Sequence, residues 1–412
     1  MNNNNKSVAI VLGGIRPHIE LIQKLKDRGY YTLLVDYAEN PIAKSVADEH
    51  IKENALDMDI VLEIAHTYQA DIVISTCGDQ TNATACYVAE KLGLPMPYNY
   101  DTALKVTNKL LMKQIMMEHN IPTSKYYKIT NVKDIGSCCL NYPIIVKPSD
   151  SYSGKGVRKI SEASENIEQI VQTALDISRN KEAIIEEYIT GIEIGVDCFI
   201  KNGIAVVIMV KERRKINKNN NFTQQIYGSI FPASISNEIL DQINIIANQI
   251  ANAFKLCNTP LMIQAIIHED SVYVIEFGAR IGGGESYKMI KELTGFDYLD
   301  AAIDAFSGND LVINYHKPNA FYATNLLYAK QGVFGHISYN KSVLDNNVLE
   351  YYYPWKESGF VIGPEITSNN RVGVFTVKSD TIEGLYDKID LVLKNVEVYD
   401  IDGNPIMRRD IY

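Results

Sequence analysis

The 412-residue chain is poor in cysteine and nearly devoid of tryptophan, with six of the first and one of the second. The cysteines (77, 86, 138, 139, 198 and 257) form no CxxC pair, and a chain this long needs no disulfide staples, so a reduced, cytoplasmic protein is expected. No histidine cluster offers a zinc site, and neither a GxxxxGK[ST] loop nor a GxSxG elbow occurs. No apolar run approaches the ~18–20 residues that would cross a bilayer, and the longest clear one, 204–210, fits a buried strand. The Asn-rich start, residues 1–6, lacks the apolar stretch of a secretory signal. Basic charge is also in deficit: 40 Lys+Arg against 50 Asp+Glu leave a net charge of −10. That balance argues against non-specific nucleic-acid binding, which depends on phosphate neutralisation, and against anionic membranes. What is present is ordinary globular material, 46% apolar and 22% charged, enough for about two to four folding units.

The first hundred residues alternate strand and helix. Apolar runs at 8–12, 32–35 and 71–75 read as strands, and helical periodicity occupies 17–26, 57–68 and 80–92. Such alternation implies βαβ units and a parallel sheet. Beyond 108 a helix at 109–119 ends at Ile121-Pro122, and strands follow at 126–129, 144–146 and 184–187 around a Ser/Gly-rich loop. Long β-rich runs at 193–200, 204–210, 261–268 and 272–277 enclose a helix at 236–254. The basic, Asn-rich stretch 211–221 reads as a mobile loop, either a solvated turn or a substrate gate. After Pro318 come further strands, including 359–364 and 371–377, and a helix at 381–394.

Three groups of residues could carry chemistry. Gly13-Gly14 after the first strand, with Asp36 ending the second, imitates a dinucleotide site. A working GxGxxG turn lets backbone amides approach a pyrophosphate, but here Ile15-Arg16-Pro17 follows and NAD is not expected. The second group is a strand ending in Lys147-Pro148, followed at once by Ser149-Asp150-Ser151-Tyr152-Ser153-Gly154-Lys155-Gly156-Val157. Small residues let backbone N–H groups fold over phosphate oxygens, and the lysine adds a point charge, although such a loop taken alone could equally be a surface turn. The third group is acidic. Glu186-Glu187-Tyr188-Ile189 ends a strand, and Glu193 follows. Glu276 lies between apolar neighbours, where a carboxylate is costly unless it is paired or metal-bound. Gln264, twelve residues earlier with Glu269-Asp270-Ser271 as the turn, would stand beside Glu276 in a hairpin and offer oxygen to Mg²⁺. Arg280 and Gly282-Gly283-Gly284 come next.

This order of elements (a lysine near 109, a strand-Lys-Gly-rich loop, EEYI, a downstream Glu, then a Q…E hairpin with Arg) resembles the ATP-grasp superfamily over nearly the whole chain. The resemblance implies an α/β protein with a Rossmann-like preATP-grasp sheet over 1–108. It further implies a two-part ATP-grasp α+β fold, with a lid subdomain 109–190 and a catalytic subdomain 191–317, and a β-rich C-terminal domain 318–412. It implies that Lys109 and Lys147 contact ATP phosphates and that Ser153, Gly154, Lys155, Gly156 and Val157 cover the β- and γ-phosphates. Glu186, Glu187 and Ile189 would hold adenine, with the backbone of Glu187 and Ile189 doing most of it, and Glu193 would accept ribose hydroxyls. Gln264 and Glu276 would be the metal ligands. Arg280, with Lys147 the expected catalytic residue, would stabilise an acyl phosphate, and Gly282, Gly283 and Gly284 would lie where acceptors bind. The implied cofactors are ATP and Mg²⁺, with Mn²⁺ as a substitute, and the implied partners are small carboxylates and amines in a homodimer.

One position departs from the family's ExNxR pattern. Gly278 stands where an Asn usually completes the second metal's shell, so a weak second Mg²⁺ that Gly278→Asn would tighten is one expectation. A glycine kept for a positive φ is the other. The implied activity is amide or peptide bond formation through an acyl phosphate, most like the amino-acid ligases. Two alternatives stand beside it: the same chemistry on a nucleotide precursor or bicarbonate, and a nucleotide-binding regulator without turnover. A biotin-dependent carboxylase is disfavoured by the absence of an AMKM-type motif.

Overall fold

A computed structural model describes residues 6–151, 156–163, 166–216, 225–283, 286–364 and 366–412. Its first sheet is fully parallel, in the order β3 (Glu49–Ile51), β2 (Tyr31–Val35), β1 (Val8–Leu12), β4 (Ile72–Ile74). All five residues of β1 are buried, which is the reading expected of a strand covered on both faces. The flanking helices are α1 (Pro17–Asp27), α2 (Met58–Thr67) and α3 (Asp79–Leu92). The Asp57 side chain caps α2 by accepting from the Ile60 N–H, and Gly93, left-handed at φ 68°, ends α3. The Asp36 carboxylate accepts from the Gly14 N–H at 2.7 Å and closes the turn after β1. A Cβ on Gly14 would stand 2.3 Å from Pro41 Cβ, so this glycine is required by close packing.

After α4 (Tyr100–Thr107), the Asn108 side chain accepts from the N–H groups of Leu110 and Leu111 and starts α5 (Lys109–Glu118). That cap sets Lys109 as the first residue of the helix, beside the small antiparallel sheet. Its order is β5 (Tyr126–Ile129), β8 (Ala183–Glu187), β6 (Ile144–Pro148), β7 (Arg158–Ile160), with α6 (Ile167–Ile177) packed on it.

The third sheet is an eight-stranded sheet of antiparallel pairs. Its order is β13 (Ser271–Gly278), β12 (Thr259–His268), β9 (Ile192–Lys201), β10 (Ile204–Lys215), β11 (Ile226–Phe231), β14 (Phe321–Tyr328), β18 (Arg371–Ser379), β16 (Tyr351–Pro354). It continues across residue 317, so the strands after Pro318 extend the same surface. Here the basic stretch differs from its expected loop: Lys211–Lys215 are strand, part of β10, and 217–224 lie outside the described residues. A strand tolerates these cations because the neighbouring β9 carries acids for them. Helix α7 (Asn237–Ala253) covers one face with Ile239, Ile243, Ile246 and Ile250, and each such side chain contributes about 1.5–3 kcal/mol on burial. Helices α8 (Ser286–Thr294) and α9 (Tyr298–Ser307) lie on the other side, and α9 shares a core with β1. Lys24 on α1 pairs with Asp297 and Asp300 at 2.8 Å, and Arg28 with Asp304 at 2.6 Å, which fixes the first sheet against the large one. A three-stranded sheet of β17 (Val361–Ile362), β15 (Gly332–Tyr339) and β19 (Val396–Asp400), with α10 (Lys341–Asp345) and α11 (Ile382–Lys394), completes the chain. Among the described residues no helix is long and apolar enough to cross a membrane.

Candidate active site

A cavity of about 560 Å³ opens where the small sheet, the large sheet and the start of α3 meet. Its cationic wall begins at the end of β6. Strand pairing puts Ile145 opposite Glu186, so Lys147 and Glu186 come together inside the small sheet, and both are almost fully buried. Lys147 Nζ pairs with Glu186 Oε1, while Glu186 Oε2 accepts from Ser124 Oγ at 2.8 Å and lies 3.2 Å from Lys113 Nζ. Lys113 projects from α5 one turn after Lys109, is 1% exposed, and donates to Thr123 Oγ1 at 2.6 Å and Ser124 Oγ at 2.7 Å. Burial pushes the Glu186 carboxyl up, but Lys113 and Lys147 outweigh it and hold the group at about 2. Burial pulls Lys113 down to about 8 against the counter-pull of Glu186. Two cations and one anion leave this cluster with a net positive charge behind the cavity.

The second wall is the β12–β13 hairpin. Gln264 and Glu276 are direct cross-strand partners, with a bulge between Gln264 and Ala265. Lys109 Nζ, which donates to the Ser151 carbonyl at 2.6 Å, lies 3.6 Å from Glu276 Oε2. Burial raises the Glu276 carboxyl, yet Lys109, Lys147, Arg280 and Arg213 together hold it below the usual carboxylate range. Gln264 Nε2 donates to Glu193 Oε1 at 2.6 Å, which leaves its carbonyl oxygen free for another partner. An ionised carboxylate beside an amide oxygen suits a hard divalent cation that keeps most of its shell for phosphate and water. No group of three or more His, Cys, Asp or Glu side chains placed to hold a metal ion occurs among the described residues.

Glu193 is gripped from β10: Arg213 Nε donates to it at 2.7 Å and Lys215 Nζ lies 2.5 Å from it. Lys211, two residues before Arg213 on the same strand face, donates to Asp197 at 2.7 Å and to Ser286 Oγ at 3.0 Å beside Gly282. Arg280 projects past the end of β13. Its Nε and Nη2 donate to Asp79 Oδ1 and Oδ2 at 2.7 and 2.9 Å, and its Nη1 to the Ile281 carbonyl at 3.0 Å.

Of the residues expected at the site, Lys109, Lys147, Val157, Glu186, Glu187, Ile189, Glu193, Gln264, Glu276, Arg280 and Gly283 line this cavity. Gly156 and Gly282 pack beside it. A Cβ on Gly156 would stand 2.9 Å from Pro148 Cγ, and one on Gly282 3.1 Å from Asp197 Oδ1. Ser153, Gly154, Lys155 and Gly284 lie outside the described residues. The expectation that Gly278 serves a positive φ fails, because Gly278 is not among the positive-φ glycines. A Cβ there would stand 2.9 Å from Asp79 Oδ1, so the side chain of Gly278→Asn would press on the Asp79–Arg280 pair. Sequence reasoning missed Asp79, Lys113, Arg213 and Lys215. The period of two in Lys211, Arg213 and Lys215 was a usable signal for the last two; Asp79 and Lys113 gave none.

Residues 140–288 match the family model described as ATP-grasp domain. Over 434 residues the chain is 23% identical to the phosphoribosylamine–glycine ligase of Methanococcus vannielii, covering 98% of this chain and 96% of that protein. It is 22% identical to the carbamoyl phosphate synthase large chain of Clostridium acetobutylicum, covering 73% of this chain but only 29% of that one. The crystal structure of L-amino acid ligase from Bacillus licheniformis superposes with a TM-score of 0.81 at 18% identity, covering 97% of this chain and 100% of that one. In keeping with the strand order and the hairpin, residues 140–288 form an ATP-grasp domain, within a chain that is similar along nearly its whole length to a phosphoribosylamine–glycine ligase.

Proposed function

We propose that the chain is an ATP-dependent carboxylate–amine ligase that activates an amino-acid carboxylate as an acyl phosphate and transfers it to an amine. The observation that carries this reading is the convergence of Lys109, Lys147 and Arg280, from three separate segments, with Gln264 and Glu276 on one cavity. The reaction brings polyanions together, so its first requirement is positive charge held in place before substrate arrives. In this reading Lys109 and Lys147 meet the phosphates, with Lys113 and Glu186 fixing Lys147 from behind. The backbone of Glu187 and Ile189 edges the adenine, and Glu193, already oriented by Arg213 and Gln264, accepts from the ribose. Gln264 and Glu276 would hold Mg²⁺, which would supply charge neutralisation at the transferring phosphoryl group. A carboxylate oxygen attacks the γ-phosphorus as its bond to the ADP oxygen breaks. The amine nitrogen then attacks the acyl carbon, phosphate leaves, and the nitrogen gives up a proton. Arg280 faces the negative charge that accumulates on the acyl phosphate. The working division of the chain for this reading is 1–108, 109–190, 191–317 and 318–412, in a homodimer.

A phosphate-release screen over pairs of amino acids and simple carboxylates tests the proposal. ADP and phosphate formed only when both substrates are present support it; no release with any pair counts against it. The end-to-end alignment with the phosphoribosylamine–glycine ligase favours one second reading, in which the amine belongs to a phosphorylated sugar. Turnover with phosphoribosylamine and glycine, and with no amino-acid pair, would select it.

A further inference from the structure

Position 278 carries an unusual constraint. Gly278 closes β13 two residues after Glu276, so a side chain at 278 would share the face that Glu276 and Gln264 present to the cavity. A side chain there has to push a neighbour aside, because the space is taken. The Asp79 carboxylate, from the first residue of α3, has Oδ1 2.9 Å from the place of a Gly278 Cβ, and the Arg280 Nε lies 3.3 Å from it. An amide oxygen at 278 would extend two bonds beyond that Cβ, into the volume that Asp79 fills. The backbone gives no separate reason for glycine here. The placement of Asp79 is also firm. Tyr98 Oη donates to the Ala279 carbonyl at 2.9 Å and Cys77 Sγ to the Gly282 carbonyl at 3.5 Å, so the α3 region is tied to the end of β13 on both sides of the Asp79–Arg280 pair.

We propose that Asp79 supplies, from the first sheet's side of the cavity, the cation-ligating oxygen that position 278 lacks, so that the divalent-cation site is built from Gln264, Glu276 and Asp79. The inference rests on the ligase reading above. Arg280 occupies one acceptor position on each Asp79 oxygen, and a carboxylate has about four, so ligating capacity remains. Neighbours two apart on a strand face stand roughly 6–7 Å apart at their backbones. One ion with oxygen bonds of about 2.0–2.6 Å spans that separation when both side chains lean toward it. The charge also makes sense. Gln264 is neutral, so without Asp79 only Glu276 would bring a negative charge to the ion; a carboxylate from α3 does more than a restored Asn amide could. Asp79 and Gly278 then form a compensating pair, each requiring the other.

The test is Mn²⁺ binding in the presence of ADP, read by the electron paramagnetic resonance of free Mn²⁺, on the full chain with melting temperatures measured in parallel. Asp79→Ala is expected to weaken Mn²⁺ by about tenfold or more, at least what losing a supporting partner of a metal ligand costs. Gly278→Asn alone is expected to weaken it too, because the new side chain displaces Asp79. The double variant Asp79→Ala/Gly278→Asn should recover part of the affinity, since the amide then has the space and the ion. A double variant that binds Mn²⁺ no better than Asp79→Ala, or an Asp79→Ala protein with wild-type Mn²⁺ affinity, overturns the inference while leaving the ligase reading intact. Wild-type protein that binds ADP with no dependence on Mn²⁺ or Mg²⁺ overturns both.

Discussion

Lys113→Met tests how the positive charge behind the cavity is built. Lys113 is almost fully buried and shares Glu186 with Lys147, so the substitution keeps much of the volume while removing the charge and the hydrogen bonds to Thr123 and Ser124. A carboxyl held at about 2 against an ordinary value of 4.5 is worth about 3 kcal/mol of stability at neutral pH. Because the folded value lies below the unfolded one, that stability is present above about 4.5 and is lost as the pH falls toward 2. Lys113 is the foremost favourable contributor, so removing it should forfeit most of that gain, and the relief of no longer burying an ammonium held down at about 8 offsets part of the roughly 3–5 kcal/mol that breaking a buried pair costs. The expected result is a fall in melting temperature of roughly 2–6 °C at pH 7, which narrows as the acid limb is approached. ADP affinity should drop as well, because Lys147 and Glu186 alone sum to zero charge. Differential scanning calorimetry between pH 3 and 8, with isothermal titration of ADP, reads both effects. A variant as stable as wild type, with unchanged ADP affinity, would refute the charge accounting.

Lys147→Ala should weaken ATP binding by about 2–3 kcal/mol, the worth of a charge-assisted hydrogen bond, measured by calorimetry. Glu276→Gln should abolish turnover while nucleotide binding survives at reduced affinity; undiminished phosphate release in that variant would sink its role as metal ligand. Lys113 loses its proton near pH 8 in the folded protein, so ADP affinity should decline as the pH rises through that value. A flat pH profile in Lys113→Met and a sloping one in wild type is the expected contrast.

Much of this site was legible in the sequence because its chemistry is local. The turn Glu269-Asp270 between two apolar runs fixes the register that puts Gln264 opposite Glu276, and a lysine that ends a strand before small residues is visible as such. Elements with clean periodicity fell within a residue or two of their expected ends, α3 and β13 among them. What could not be read depends on distance. Asp79 meets Arg280 only because α1 and α9 hold two sheets together through pairs such as Lys24–Asp297, and no spacing along the chain encodes that meeting. Lys113 looks like any surface lysine of a helix until β8 brings Glu186 beside it. The basic stretch failed for a different reason: cations in a row read as solvated loop, yet β9 supplies Glu193 to Arg213 and Lys215 and Asp197 to Lys211, which makes a charged strand stable.

The fate of the carboxylate oxygen tests the central claim most directly. With ATP, Mg²⁺ and a mixture of amino acids carrying ¹⁸O in their carboxylates, mass spectrometry of the released phosphate reports whether that oxygen was phosphorylated. The acyl-phosphate route moves one labelled oxygen from carboxylate to phosphate for each ADP formed, because the phosphate that departs takes the oxygen that attacked. Phosphate carrying one ¹⁸O, with ADP as its partner product, is the predicted result. Unlabelled phosphate, or AMP with pyrophosphate in place of ADP, would contradict it.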